Sequence, residues 1–433
     1  MPPKVRKQFL KPAASRVNAA HRGAPPVVAE INALLQNWKQ RLGLWPKPKA
    51  GQVFSLASDC SGYGSELLAL RLLGLQKKAQ LIMTCESCSK KRALHDVMVK
   101  ICGFDPSRED FQDIFRRDNA SAPRADLYIA GYPCPSFSRM GKRAGTKDVR
   151  GMVTLQGLLY IATKRPRTLV LEQVAALMQD KQHRQVWTFL QKVLTALDYT
   201  FAYDIVNTRH MGIPQSRPRL YLFAICRESV TGPLSMPTAR EHHPDLHTFI
   251  NKSLVGNEKL QLPTYEQKLG KALWQQGWIL DVAASPRYQH AVRNCSPCLF
   301  KTRCKQGGYY VPKLLRRLTC QEICSLQGVP EQVVTALLEG AKSLPSRTVE
   351  ESAGDGMSIN VLFLVLRRCL DAAGLTSLGS QRDYWLRCPA DKLWQLSDSL
   401  WKMHAWSWLP STVYSLEIHA SANTPQRLKR RNG

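Results

Sequence analysis

The chain has 433 residues, more than one compact core usually holds, so a main domain with a smaller second unit is expected. Hydrophobic residues make up 44% and charged residues 22%, and no uncharged apolar run approaches the length that crosses a bilayer, which excludes a membrane-spanning chain and predicts a soluble one. A formal charge of +28, from 61 Lys and Arg against 33 Asp and Glu, points to a polyanionic partner such as nucleic acid.

Part of that charge sits at the ends of the chain. No acidic residue precedes Glu30, and the last residues include Arg427, Lys429, Arg430 and Arg431. Arg, Ala and Ser without acids is also the composition of an organelle transit peptide, although prolines at 2, 3 and 12 work against an amphipathic helix. There is no apolar core of a secretory signal, so a reducing compartment and mostly free thiols are expected for the thirteen cysteines.

Residues 1–50 read as a basic extension with one helix, in which Val28, Ile31, Leu34, Leu35 and Trp38 share a face before WPKPKAGQ ends it. Apolar runs then alternate with amphipathic stretches. Strands are predicted at 53–57, 81–85, 127–131, 168–171, 201–206 and 219–225, and helices at 65–73, 90–101, 155–164 and 183–197. Strand and helix in turn argue for an α/β domain over 51–228, a parallel sheet with crossovers on both faces. The rhythm is lost after 228, and the polar, proline-punctuated stretch 229–315 reads as a small second domain. Helical signals at 319–327, 333–339 and 358–370 mark a return segment, 316–371. The tail 372–433 carries five of the ten tryptophans and reads as a segment that docks.

Several blocks at strand ends carry chemistry. The first strand runs into DCSGYGS, where Gly62 and Gly64 occupy the kind of strand-to-helix turn that lets backbone approach a nucleotide-like ligand. Two glycines also make many ordinary turns. Glu86 follows the next strand, placed to grip ribose hydroxyls or simply to be solvated. More specific is DLYIAGYPCPSFSRMGKRAG, which sets Cys134 between two prolines at the end of an apolar strand, where open α/β sheets bind ligands; a structural thiol would more often lie inside the apolar run. RTLVLEQV ends its strand with Glu172. In NTRHMGIPQSRPRLYLFAI, Gln215, Arg217 and Arg219 alternate, which directs all three to one side and a common site.

In this order and spacing, the blocks from the first strand to residue 371 resemble the DNA cytosine-5 methyltransferase family. DCSGYGS is similar to its cofactor loop, GYPCPSFS to its Pro-Cys loop, LEQV to its Glu-Asn-Val block, QSRPR to its Gln-x-Arg-x-Arg block, RRLTCQEICSLQGVP to the block after the recognition domain, and AGDGMSINVLFLVL to the closing helix. The resemblance implies a Rossmann-like class I methyltransferase domain with a mostly parallel sheet and helices on both faces, a small irregular target-recognition domain, S-adenosylmethionine as cofactor and double-stranded DNA as partner, bound by a monomer. It implies that the Cys134 thiolate adds to carbon 6 of a flipped cytosine while Glu172 protonates ring nitrogen 3, with Arg219 and Arg217 orienting the base. Cofactor contacts carry over to Cys60, Gly62, Tyr63, Gly64, Glu86, Asp113, Ile114, Gly131 and Asp355. The compartment expected is intracellular, the nucleus in a eukaryote, with mitochondrion or plastid as alternatives.

Three positions depart from the family pattern. Cys60 replaces an aromatic expected over the adenine, Gln173 replaces Asn beside Glu172, and Asp355 replaces Asn where a carboxylate attracts the cofactor's amino group and repels its carboxylate. They motivate a second reading, a nucleic-acid-binding scaffold without turnover. A third, a methyltransferase acting on cytosine in transfer RNA, is disfavoured by the lack of a Cys-Phe-Thr signature. Cys85 with Cys88, and Cys295, Cys298 and Cys304, have no partner pair at finger-like spacing, so no metal is expected.

Overall fold

The computed structural model describes residues 26–49, 51–133, 149–239, 245–286 and 291–378; Cys134 and the Trp-rich tail beyond 378 lie outside the described residues. The N-terminal arm forms α1 (Pro26–Gln36) and α2 (Trp38–Leu42), broken at Asn37, where one continuous helix was expected. Its apolar face buries Val27, Ile31 and Trp38. The arm is clasped to the main domain: Trp38 Nε1 donates to Ala196 O at 2.8 Å, and the Arg165 guanidinium stacks 3.9 Å from the centre of the Trp38 ring.

The sheet begins with β1 (Phe54–Asp59), α3 (Ser65–Leu72), β2 (Ala79–Cys85), α4 (Ser89–Cys102), β3 (Glu109–Phe111) and β4 (Leu127–Gly131). It continues through α5 (Val149–Lys164), β5 (Thr168–Val174), α6 (Ala176–Gln179), α7 (Arg184–Ala196), β6 (Tyr199–Asn207) and β7 (Pro218–Cys226). Seven strands lie in the order β3-β2-β1-β4-β5-β7-β6. The first five are parallel and β7 runs antiparallel to both β5 and β6, so the sheet is mostly parallel with helices on both faces, as expected.

Period-two burial explains the layers. Leu56, Ile129, Val170 and Phe223 pack on one face with α3, α4 and a late helix, while Ala57, Tyr128, Leu169 and Leu222 pack on the other with α1, α5 and α7. Central strands covered on both sides read as nearly continuous apolar runs, as LYIAG and TLVLEQV do.

The second unit is built around α8 (Pro263–Leu269) and a small antiparallel sheet of β8 (Leu280–Asp281), β9 (Tyr309–Val311) and β10 (Arg316–Arg317), with α9 (Lys301–Lys305) between β8 and β9. The chain returns through α10 (Cys320–Ser325), α11 (Glu331–Gly340), α12 (Ser346–Asp355) and α13 (Ile359–Ala372). The last is buried nearly all round and packs against α3, β5 and β7. Among the described residues no helix is long and apolar enough to cross a membrane.

The RRLTCQE block has a local structural logic. Thr319 and Glu322 form a reciprocal capping box at the start of α10, and both Glu322 oxygens also accept from Arg316 at 2.8 Å. Arg316 further donates to the carbonyls of Leu254 and Asn251, so the block sews the second unit to the return helices. Thr319→Ala removes the cap acceptor and is expected to cost about 0.5–2 kcal/mol in urea unfolding. A midpoint identical to wild type would show that the cap contributes nothing.

Candidate active site

The carboxyl ends of β1, β2, β4 and β5 converge on one edge of the sheet, where ligands bind in open α/β folds. After β1 the chain makes a turn of left-handed residues, Cys60 (φ 54°), Gly62 (φ 59°) and Gly64 (φ 92°). Gly64 is required twice over, by its φ and because a Cβ there would stand 2.9 Å from Met98 Cγ. Glu86, at the end of β2, locks this turn: its Oε2 accepts from Gly62 N–H at 3.0 Å and its Oε1 from Cys88 N–H at 2.9 Å. Each oxygen keeps a further lone pair, so Glu86 can still accept from a ligand diol.

Two other segments close around the turn. Gly356 packs against Tyr63 and Ser65 so tightly that a Cβ at 356 would lie 2.5 Å from Tyr63 Cε1, and Met357 lies against Gly131 at the end of β4. Asp113 follows β3, accepts from its own loop through Phe115 N–H at 2.9 Å, and borders an open cleft with Ser87, Phe111 and Arg116. Ile114 is buried in the core beneath it. Gly62, Tyr63, Gly64, Glu86, Asp113, Gly131 and Asp355 thus surround one side of the sheet edge. A left-handed turn that is open at Gly62 and a carboxylate with spare acceptor capacity fit the nucleoside of S-adenosylmethionine. Cys60 supplies no ring there; burial, then the charges of Asp59 and Glu86, push its thiol well above the ordinary range.

The second half of the site is one strand further along. Glu172 pairs in register with Gly131 on β4 and with Tyr221 on β7. Arg219, diagonal to it across β5 and β7, sets its Nε 3.2 Å from Glu172 Oε1. Burial pushes the Glu172 carboxyl above its ordinary value, more strongly than Arg219 and Arg217 pull it down. A buried carboxyl of this kind holds a proton more readily than an exposed one and can donate it to a ring nitrogen.

The expectation of a common site holds for Arg217 and Arg219, which both reach Cys298 Sγ and both pull on the Glu172 carboxyl, and is corrected for Gln215. Gln215 donates to Leu326 O at 2.5 Å and accepts from Leu299 N–H at 3.1 Å. Arg217 donates to the carbonyls of Leu299 (2.6 Å), Gly354 (3.2 Å) and Gly356 (2.8 Å). These two brace the second unit and the 354–356 turn against β7; Arg219 alone of the three pairs with Glu172. Buried carbonyls take up the amide donor of Gln215 and most of the guanidinium donors of Arg217. Gln173 likewise turns on its own strand, its Oε1 accepting from Val174 N–H at 2.8 Å.

Two side chains next to the site were missed. Lys91, in the first turn of α4, forms an ion pair with Asp355, which also lies 3.7 Å from Lys301. Burial opposes the charge of Asp355, but Lys91 above all, with Lys301 and Arg217, holds its carboxyl below the ordinary range. Cys298, expected only within a cysteine cluster, has its Sγ 3.6 Å from Arg219 Nη2 and 3.8 Å from Arg217 Nη1. No motif marks either residue, because their partners are far away in sequence. Among the described residues no group of three or more His, Cys, Asp or Glu is arranged to hold a metal ion.

Comparison with known proteins agrees with this geometry. The chain is 27% identical over 266 residues to the type II methyltransferase M.NgoBI of Neisseria gonorrhoeae, covering 60% of this chain and 78% of that protein. It is 28% identical over 243 residues to the type II methyltransferase M1.ScrFI of Lactococcus lactis subsp. cremoris, covering 52% of this chain and 59% of that protein. A putative DNA modification methyltransferase encoded within an Escherichia coli prophage superposes with a TM-score of 0.52 at 14% identity, over 74% of this chain and 99% of that one, a likeness of fold. The model of the C-5 cytosine-specific DNA methylase family matches residues 94–370, and the chain belongs to that family of S-adenosylmethionine-dependent methyltransferases.

Proposed function

We propose that the chain methylates carbon 5 of cytosine in double-stranded DNA through a covalent adduct on Cys134, acting as a monomer on a base flipped from the helix. The observation that carries this is the Glu172–Arg219 pair on the strands beside Gly131, three residues before Cys134. Carbon 5 of neutral cytosine is too electron-poor to attack a methyl donor. The Cys134 thiolate forms a bond to carbon 6 while Glu172 gives its proton to nitrogen 3, and the ring electrons move to carbon 5. S-adenosylmethionine supplies an electrophilic methyl group when bound at the glycine turn. A base then takes the proton from carbon 5, the nitrogen 3 proton returns to Glu172, the carbon 6–sulfur bond breaks, and Cys134 leaves as thiolate. Arg219 holds Glu172 in place and orients the ring. The charge of +28 supports a backbone-binding surface that repays base flipping. The working compartment is one that holds DNA, the nucleus in a eukaryotic cell.

The test is covalent trapping on a duplex carrying 5-fluorocytosine, whose fluorine blocks the final elimination. The expected product is a methyl-dependent protein–DNA adduct, with mass spectrometry of the digested complex locating it on Cys134. A scaffold without turnover gives no adduct on any substrate, and a transfer RNA enzyme gives one only on the modified RNA; either result overturns the proposal.

A further inference from the structure

A sulfur of the second unit reaches the Glu172–Arg219 pair. The backbone around it is firmly placed: Ser216 N–H donates to Ser296 O at 2.9 Å and Ser296 N–H to Pro214 O at 2.7 Å, which lays this segment beside the residues that lead into β7. On its other side Tyr309, on β9, donates its hydroxyl to Cys298 O at 2.8 Å and accepts from Phe300 N–H at 2.8 Å. Between these anchors the half-buried Cys298 sets its Sγ 3.6 Å from Arg219 Nη2 and 3.8 Å from Arg217 Nη1. Arg219 is thereby met along its whole rim: Nη1 donates to Pro218 O at 2.9 Å, Nε stands 3.2 Å from Glu172 Oε1, and Nη2 faces the sulfur.

We propose that Cys298 is a positioning residue for methyl transfer, its sulfur fixing the Arg219 guanidinium against Glu172 so that the docked second unit sets the geometry of the acid. This rests on reading Glu172 as the proton donor to nitrogen 3. Charge attraction between Nε and the carboxylate is non-directional and leaves the guanidinium plane free to tilt, whereas an acceptor at Nη2 fixes it. Sulfur suits that task. A carboxylate at 298 would draw Arg219 away from Glu172 into a charge-assisted fork, while a thiol accepts weakly and leaves the positive charge to act on the acid. Arg217 steadies the sulfur in turn, since its own guanidinium is anchored on the carbonyls of Leu299, Gly354 and Gly356.

The test is single-turnover methylation of a DNA duplex by the full chain across a range of pH, with DNA affinity measured alongside. Cys298→Ala should slow the rate at saturating DNA by about tenfold and leave DNA affinity within about twofold of wild type. The charges that act on Glu172 are Arg219 first, then Arg217 and Asp355, and both arginines pull its carboxyl down against burial. With Arg219 loosened that pull weakens, so the alkaline limb of the rate should move to higher pH. Cys298→Ser, which keeps an acceptor, should restore most of the rate and return the limb. A Cys298→Ala rate within about twofold of wild type, a loss carried by DNA affinity, a loss with the limb unmoved, or a serine variant as slow as alanine would each overturn the proposal. Glu172→Gln measured in parallel separates the two claims: if it is as fast as wild type, the acid reading fails and the proposal with it, whereas a slow Glu172→Gln beside an unaffected Cys298→Ala overturns the proposal alone.

Discussion

Glutamine at position 172 is expected to slow single-turnover methylation by about 10²- to 10⁴-fold while leaving DNA binding intact. The amide keeps the volume of Glu172 and can donate a hydrogen bond to nitrogen 3, yet it has no proton to transfer, so only the step that activates carbon 5 suffers. The pH dependence follows from burial. Burial raises the Glu172 carboxyl above its ordinary value, so the active, protonated form persists to higher pH than for an exposed carboxyl, and the rate falls as pH climbs through that raised value. Glu172→Gln should flatten that limb. The same shift has a stability consequence: the folded chain binds this proton more tightly than the unfolded one, so the contribution is full below the unfolded value and is lost as pH rises through the folded one. A rate for the glutamine variant within tenfold of wild type, measured under single turnover, would remove Glu172 as the acid.

Loss of the Asp59 carboxylate should destabilise the domain by about 3–5 kcal/mol, the usual cost of stranding a buried charge. Asp59 closes β1, immediately before the glycine turn, and both its oxygens face the Arg117 guanidinium, one at 2.9 Å and the other closer. Neither side chain is exposed. Tyr128 donates to the same carboxylate at 2.6 Å, Asn119 accepts from Arg117 Nε at 2.9 Å, and the guanidinium lies 4.8 Å from the centre of the Tyr160 ring. Burial works against the charge of Arg117, but Asp59 more than compensates and holds its pKa above the ordinary value. Asp59→Ala therefore leaves a cation in an apolar layer without a counter-charge. Adding Arg117→Met to Asp59→Ala should recover much of the loss, since an apolar pair of similar volume avoids the desolvation altogether. Guanidinium chloride unfolding of the two variants settles this; a loss under about 1 kcal/mol for Asp59→Ala would show that the pair is solvated like a surface ion pair.

Much of this architecture was legible from the order of residues. Strand 127–131 was read to the residue, and the cores of β1, β2, β5, β6 and β7 each lay within a predicted strand, because strands covered on both faces must be apolar. The helix over Ser346–Asp355 was missed: it buries Thr348, Ser352 and Ala353 beside Val349, a face too small and polar to register as a stripe. The three-residue β3 and the two- and three-residue strands of the small sheet fall below what alternation can show. The direction of β7 was also hidden, since it is as apolar as the parallel strands and only the return after β6 reverses it.

In the site, the blocks indicated which strand ends would meet, and Glu86, Glu172 and the glycine turn do stand along one sheet edge. The partners of those residues were not readable. Arg217 answers to carbonyls from two distant segments, and a backbone acceptor has no letter in the sequence. Lys91 finds its carboxylate 264 positions later, a pairing that depends on the return helices closing over the cleft.

The position of α13 has a consequence for how the molecule comes into being. Its Ile359–Ala372 segment fills the layer between α3 and strands β5 and β7, all of which are translated far earlier. During synthesis those strands leave the ribosome with one apolar face bare and must wait until the second unit and the return helices have followed. Over that interval the uncovered apolar face is open to aggregation, and that layer is complete only when α13 emerges.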